Sequence, residues 1–442
     1  MKELEEFLTG RIWLRNFTPF SKDLIDEHIS NGLIAVSKGI GENRACARCL
    51  ETSPQKIISF YCSKCEGDCY YCRHCINMGR ISSCTELITW KHPTQSPQKN
   101  HSFAWTGTLT SLQERASSEV SRSLKQNKSH LVYAVCGAGK TELLFMPIFE
   151  ALQKGHRVCV AAPRTDVVLE LSPRIKRVFP DTIVHTLYGG APFEAGFADI
   201  VIATTHQLYR FQDAFDVMIV DEADAFPYSY DASLERAVMK AKKETAPVVY
   251  VSATPSERLL EKVPDRSEIF RRFHGYDLPV PSFEPLWNYK KSLLKNKIPN
   301  KLAVWIKEKI WKQEPFLLFL PTIELIDQSI TLFQKLDPRI EAVHSQDPLR
   351  KEKVMQLRTG EIPGLLTSTI LERGITIPNV QVAVVGADDR IFDASALIQI
   401  SGRAGRSSEQ PEGDVLFFHD GIAREMDKAR KRIISYNARS RL

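Results

Sequence analysis

The chain has 442 residues, with 59 Lys/Arg against 53 Asp/Glu and a net charge of +6. At roughly 100–200 residues per domain, this length allows two or three domains, and the mild charge permits a polyanionic partner without demanding one. No apolar run approaches the ~18 residues of a membrane span, and the acidic start Met1-Lys2-Glu3-Leu4-Glu5-Glu6 lacks an apolar signal core, so a cytoplasmic protein is expected.

Residues 1 to 40 read as a mixed, partly amphipathic lead-in without a motif. Eight of the ten cysteines then fall between Cys46 and Cys84. In a reducing compartment such clustering reads as metal binding rather than disulfides. The spacings are Cys46-x2-Cys49, Cys62-x2-Cys65, Cys69-x2-Cys72-x2-Cys75 and a distant Cys84. Zinc takes four tetrahedral soft ligands, and a Cys-x2-Cys turn supplies two thiolates at bonding distance. Eight thiols suffice for two closed sites of structural type, although spacing alone does not pair them. His74 reads as a surface residue rather than a ligand. Tyr61, Tyr70, Tyr71 and nearby basic residues suit a strand-binding surface, and a folding staple or docking knob is the competing expectation.

Residues 91–101 are polar, with Pro93 and Pro97, and read as a linker or exposed loop. From residue 105 short apolar runs alternate with helical stretches: 131–135, 157–162, 199–205, 217–220 and 247–252. Buried parallel strands read this way, with Cys159 in the core of one of them. Residues 256–300, charged and proline-bearing, read as a connection without strands. A second alternating series at 316–320, 340–344, 364–369, 380–385 and 414–418 implies a second, similar lobe. The expected architecture is two tandem α/β lobes with parallel sheets behind a cysteine-rich module. The boundaries are 1–100 for the N-terminal region (module at about 44–84), 101–285 for the first lobe and 286–442 for the second. From Arg424 to Leu442 there are seven Lys/Arg and two Asp/Glu. That segment reads as a basic C-terminal helix, either a solvated face or a phosphate- or partner-contacting tail.

Ala134-Val135-Cys136-Gly137-Ala138-Gly139-Lys140-Thr141 follows a predicted strand and precedes a helical run, the context of a phosphate-binding loop. Gly137 and Gly139 let backbone N–H groups curl around phosphate oxygens, Lys140 reaches the β- and γ-phosphates, and Thr141 holds Mg2+. Cys136 reads as a small residue without chemistry. The strand Val217-Met218-Ile219-Val220 ends in Asp221-Glu222-Ala223-Asp224. Asp221 suits a water-mediated Mg2+ contact, and Glu222 suits the general base for the attacking water. In Gln399-Ile400-Ser401-Gly402-Arg403-Ala404-Gly405-Arg406, the two arginines three apart are candidate arginine fingers, and Gln399 suits a nucleotide contact or relay.

As an ordered set, this loop, the DEAD acids, Ser252-Ala253-Thr254 and the QxxGRxGR run resemble superfamily 2 helicases over roughly residues 105–420. The resemblance implies RecA-like lobes and ATP held by both. It assigns adenine reading to Gln113, in Leu109-Thr110-Ser111-Leu112-Gln113. It assigns strand contacts to Pro163, Arg164, Thr204, Thr205 and His206 in the first lobe, with Gln207 beside them. Thr369 and Arg373 take that part in the second, within Thr367-Ser368-Thr369 and Arg373-Gly374. Tyr71-Cys72-Arg73-His74-Cys75, Pro163–Val167, Asp221–Phe226 and Thr369–Gly374 further resemble the ComFA family of bacterial competence proteins, nearly end to end. That resemblance implies an ATPase acting on single-stranded DNA during transformation, with the partners ComFC and the ComEC membrane channel, and a place at the inner face of the cell membrane. It also assigns the first zinc site to Cys46, Cys49, Cys72 and Cys75, leaving Cys62, Cys65, Cys69 and Cys84 for a second. Two other expectations compete: a PriA-like replication-restart helicase, and a nucleotide-gated nucleic-acid-binding scaffold with little hydrolysis. The intact Glu222, Arg403 and Arg406 argue against the scaffold.

Overall fold

The structure, a computed structural model, describes residues 2–91, 100–373, 377–407 and 409–441. The expected linker therefore falls largely outside the described residues, as does Gly374. The chain forms two compact units, residues 1–132 with 141–267, and residues 133–140 with 268–442.

At the N-terminus, helices Lys2–Leu8 and Lys22–Ser30 pack on a three-stranded antiparallel sheet of Trp13–Leu14, Glu86–Trp90 and Ile34–Lys38. Leu4, Phe7, Leu8, Ile25, Ile34 and Ile88 form its core. The cysteine block is inserted between two of these strands, around an antiparallel hairpin of Ile57–Cys62 and Gly67–Cys72. The lead-in that carries no motif is thus the frame that holds the cysteines.

The first parallel sheet has seven strands, in the order Arg266–Ile269, His130–Ala134, Val248–Ser252, Val217–Val220, Val158–Ala162, Ile200–Thr204 and Val184–Leu187. Val158–Ala162, Ile200–Thr204, Val217–Val220 and Val248–Ser252 are buried at every position, which is why they read in the sequence as unbroken apolar runs. Cys159 is fully buried among them. The second sheet has six strands, Ser282–Pro285, Val415–His419, Gln381–Val385, Phe316–Phe319, Gly364–Thr367 and Glu341–Val343, every pair parallel. Both are RecA-like sheets covered by helices.

One expectation is corrected and another is refined. Residues 256–300 contain two strands, Arg266–Ile269 and Ser282–Pro285, each at the edge of a sheet. Edge strands tolerate charge and proline, because one side of the backbone needs no ladder, so they leave no apolar run to read. The basic C-terminal segment is a core helix, Arg424–Arg439, with Met426, Ala429, Ile433 and Tyr436 buried. Its cations are partly spent within the unit: Arg439 pairs with Glu268, and the Arg430 guanidinium lies 5.1 Å over the Phe283 ring.

Candidate nucleotide and metal sites

The phosphate-binding loop leaves the end of strand His130–Ala134. Gly137 and Gly139 have φ of +80° and +71°, a left-handed region open to glycine at little cost. Thr141 then opens a helical turn, Glu142–Leu144, that continues as Phe145–Gln153. Within the second unit this loop is closely held. The Phe273 N–H donates to Gly137 O at 2.9 Å. The Cys136 thiol donates to Gln399 Oε1 at 2.8 Å. A Cβ on Gly402 would stand 2.5 Å from Cys136 Cβ, so only glycine fits there. Cys136, expected to be inert filler, is therefore a contact between the loop and the QxxGRxGR helix, whose Gln399 it occupies.

Arg272, which the sequence does not single out, is 2% exposed. Its guanidinium donates to the carbonyls of Ala404 (2.9 Å), Gly405 and Pro411 (3.0 Å), closing the turn that carries the second arginine. Arg403 is buried and donates to Glu372 O at 2.8 Å, while half-buried Arg406 donates to Gly402 O at 2.8 Å. Arg373 is 3% exposed, with its Nε 3.5 Å from Glu372. Thr369 is half-buried at the start of a single helical turn.

In the first sheet the DEAD acids follow strand Val217–Val220, separated from the strand before the phosphate loop by Val248–Ser252. Asp221 N–H donates to Ala161 O at 2.8 Å, and Asp221 Oδ1 accepts from Glu222 N–H at 2.9 Å. Glu222 has φ +51°, a left-handed conformation uncommon for a residue other than glycine and often found at working sites. Asp224 accepts from the hydroxyls of Ser252 and Thr254, each at 2.6 Å, and ties the acids to the SAT segment on the neighbouring strand. Its position four residues along the apolar strand's exit is the sequence signal for this link.

Gln113 is buried at the start of helix Ser111–Lys125. Its Oε1 accepts from Thr110 N–H at 2.8 Å, and Thr110 Oγ1 accepts from Gln113 N–H at 3.4 Å, a capping box. Of the first-lobe strand-contact candidates, Pro163, Thr204 and Thr205 are buried and His206 is exposed. Arg164 is half-buried, 3.7 Å from Asp166.

The cysteines separate into two groups, Cys46/Cys49/Cys72/Cys75 and Cys62/Cys65/Cys69/Cys84, with sulfurs in each group within 4.8 Å of one another. The hairpin explains the division. Cys69 and Cys72 share strand Gly67–Cys72 at an odd separation, so their side chains leave opposite faces. Their Cys-x2-Cys spacing is thus not a chelating turn. In the first group, Cys46 and Cys75 sulfurs are 3.7 Å apart and Cys49 and Cys72 3.6 Å. Four sulfurs about 2.3 Å from a tetrahedral zinc would stand ~3.8 Å apart, so the thiols present fit that ion. All four are buried. Arg48, inside the first knuckle, donates to the carbonyls of Cys75 (2.7 Å), Met78 (2.8 Å) and Gly79 (2.6 Å).

His74 is neither a ligand nor a free surface group. Its Nε2 lies 2.8 Å from Tyr209 Oη and 3.1 Å from Ser233 Oγ, so it docks the module on helix Ala232–Ala241 and on Thr205–Arg210, the turn that holds His206. Glu51–Arg236 (3.4 Å) and Lys240 to Arg48 O join the same contact.

The comparisons with known proteins agree with this construction. Residues 110–263 match the DEAD/DEAH box helicase family and 299–408 the helicase conserved C-terminal domain. S. cerevisiae Dbp5 bound to RNA and ADP BeF3 shares the fold at TM-score 0.55 and 14% identity, over 75% of this chain and 88% of that one. RecG bound to a three-way DNA junction does so at TM-score 0.53 and 17% identity, over 75% and 45%. The class is thus a helicase-type ATPase, which uses ATP with Mg2+ and binds nucleic acid. Residues 1–89 match the competence protein ComFA N-terminal domain. Competence protein ComFA of Bacillus subtilis is 43% identical over 99% of this chain and 95% of its own length, and that of Streptococcus pneumoniae 36% over 90% and 94%. The chain belongs to the ComFA family of competence proteins. No helix among the described residues is long and apolar enough to cross a membrane.

Proposed function

We propose that the protein is a single-stranded-DNA-stimulated ATPase that moves along the strand and drives uptake of transforming DNA. The observation that supports this most is family membership over nearly the whole chain, joined to a phosphate loop and DEAD acids that follow strands of one parallel sheet. In this reading Lys140 and the N–H groups around Gly137 and Gly139 bind the ATP phosphates, and Gln113 reads the adenine with its amide. Mg2+, held by Thr141 and by water that Asp221 orders, would neutralise charge on the phosphates. Glu222 takes the proton of the attacking water. Arg403 and Arg406 stabilise charge on the γ-phosphoryl oxygens after leaving Glu372 O and Gly402 O, with Gln399 reporting nucleotide state through Cys136.

His206, with the backbone set by Pro163, Arg164, Thr204 and Thr205, meets strand phosphates, and Thr369 with the segment buttressed by Arg373 meets them from the second sheet. Such contacts carry no base sequence, as a motor on arbitrary DNA requires. One zinc at Cys46, Cys49, Cys72 and Cys75 is structural, since four thiolates leave no open position. ComFC and the ComEC channel are the partners proposed by family, which would place the protein at the inner face of the membrane. The test is ATP turnover with single-stranded DNA, duplex DNA and RNA in parallel, Lys140→Ala serving as the zero. Single-stranded DNA is expected to stimulate most; equal stimulation by RNA, or by none of the three, would remove the DNA motor.

A further inference from the structure

The two cysteine groups differ in their surroundings. The first is buried, its knuckle carbonyls are gripped by the Arg48 guanidinium, and its loops are themselves the docking contact through His74, Glu51 and Arg48 O. The second closes the tip of the hairpin. Cys62 ends one strand and is buried like Cys69, Cys65 is exposed in the turn, and Cys84, the last cysteine of the block, is half-exposed. Its bonding stays local: Cys65 N–H to Cys62 O at 3.2 Å, Cys62 and Cys84 sulfurs 3.7 Å apart, and Ser82 Oγ 3.3 Å from Cys84 Sγ. That sulfur spacing again matches the ~3.8 Å edge of a zinc–thiolate tetrahedron.

A competing chelator removes thiolate-bound zinc by approaching the metal while thiolates leave one at a time. An exposed ligand allows that approach. Buried ligands, with donors fixing the backbone around them, oppose it. Metal bound where the ligand loops make a tertiary contact also contributes to the stability of that contact, whereas metal at an isolated turn stabilises only the turn.

We infer that the cysteine block takes two zinc ions of unequal lability. One is held at Cys46, Cys49, Cys72 and Cys75 and fixes the module on helix Ala232–Ala241. The other, at Cys62, Cys65, Cys69 and Cys84, exchanges with solvent without undocking the module. This rests on the zinc reading of the first group but adds a second ion and an order of release.

The experiment uses the full chain purified without chelator. Elemental analysis is expected to give two equivalents of zinc. EDTA challenge, followed with a zinc-responsive dye, should release one equivalent at a rate at least about tenfold above the other, the scale on which outer contacts change metal retention. Protease resistance at the module junction should survive the first phase and fall with the second. Zn2+ alone, added back after the first phase, should restore the missing equivalent. The double variant Cys65→Ser/Cys69→Ser should keep one equivalent and only the slow phase. One equivalent in the native protein, a single release phase of two, or loss of the slow phase in that variant would overturn the inference while leaving a structural zinc intact. No zinc at all would overturn both.

Discussion

Glu222 holds the backbone conformation that most residues avoid, at the end of a strand where every preceding side chain is buried. A left-handed non-glycine residue costs on the order of 1–3 kcal/mol and persists only where the surroundings impose it. Here Asp221 accepts from the Glu222 N–H, and Asp224 is fixed by two hydroxyls, so the turn is pinned on both sides. The carboxylate is thereby placed by backbone geometry rather than by its own flexibility. Glu222→Gln is expected to keep that geometry and ATP binding while losing turnover by about two orders of magnitude or more, because the amide takes up no proton. Lys140→Ala should instead lose both. Equilibrium ATP binding and turnover, measured on the same preparations, separate the two variants. Near-normal turnover in Glu222→Gln would take the general-base role away from it.

At the scale of elements, the C-terminal helix joins two faces. Of the seven basic residues from Arg424 onward all but half-buried Arg432 are exposed, a solvated face, while the opposite, apolar face fills a core. Tyr436 stacks on Phe270 at 5.3 Å, and its hydroxyl lies 2.9 Å from that of Tyr133. Met426→Ala, at a fully buried position, should lower stability by about 2–5 kcal/mol. Lys431→Ala, whose partner is Asp427 in an exposed i,i+4 pair, should change it by less than about 0.5 kcal/mol. Denaturant unfolding of both variants decides. Equal, small effects would return the helix to the status of a tail.

For the whole molecule, acid should be destabilising. His130 is buried between the hydroxyls of Ser123 (3.0 Å) and Ser267 (2.8 Å), and burial pushes its pKa below the ordinary 6.5 despite nearby Glu119. Burial likewise pushes His185 down to about 4, against the opposing pull of Glu194. A depressed histidine pKa means that the unfolded chain binds the proton first. The stability that rests on the neutral ring is complete above 6.5 and is lost as pH falls below it, toward about 4 for His185. Unfolding free energy should therefore fall by about 1–3 kcal/mol between pH 7 and pH 5. His130→Gln should flatten part of that slope, and an unchanged slope would exclude His130.

Coupling belongs to the same scale. If strand and nucleotide favour one state, each raises the other's affinity by the same factor. Arg406→Ala should keep basal strand binding and lose turnover by roughly three orders of magnitude or more, together with the nucleotide effect on strand affinity. Strand binding with and without a non-hydrolysable ATP analogue, at fixed salt, is the measurement. Full stimulated turnover with an unchanged nucleotide effect would reject the arginine-finger role.

The sequence by itself determined the two parallel sheets and the order of their motifs. Strands buried on both faces must be apolar throughout, and the residues at their exits must be those that phosphate chemistry requires, so both leave contiguous signals. Edge strands such as Arg266–Ile269 leave none, because half their backbone is free of packing constraints. The division of the cysteines was fixed by strand alternation at Cys69 and Cys72, which the spacing of the letters does not record. Only the tertiary structure joined Cys136 to Gln399, Arg272 to the turn at Gly405, and His74 to Tyr209. Those contacts link positions 133 to 263 residues apart, and each depends on where the intervening chain returns rather than on the identity of its neighbours.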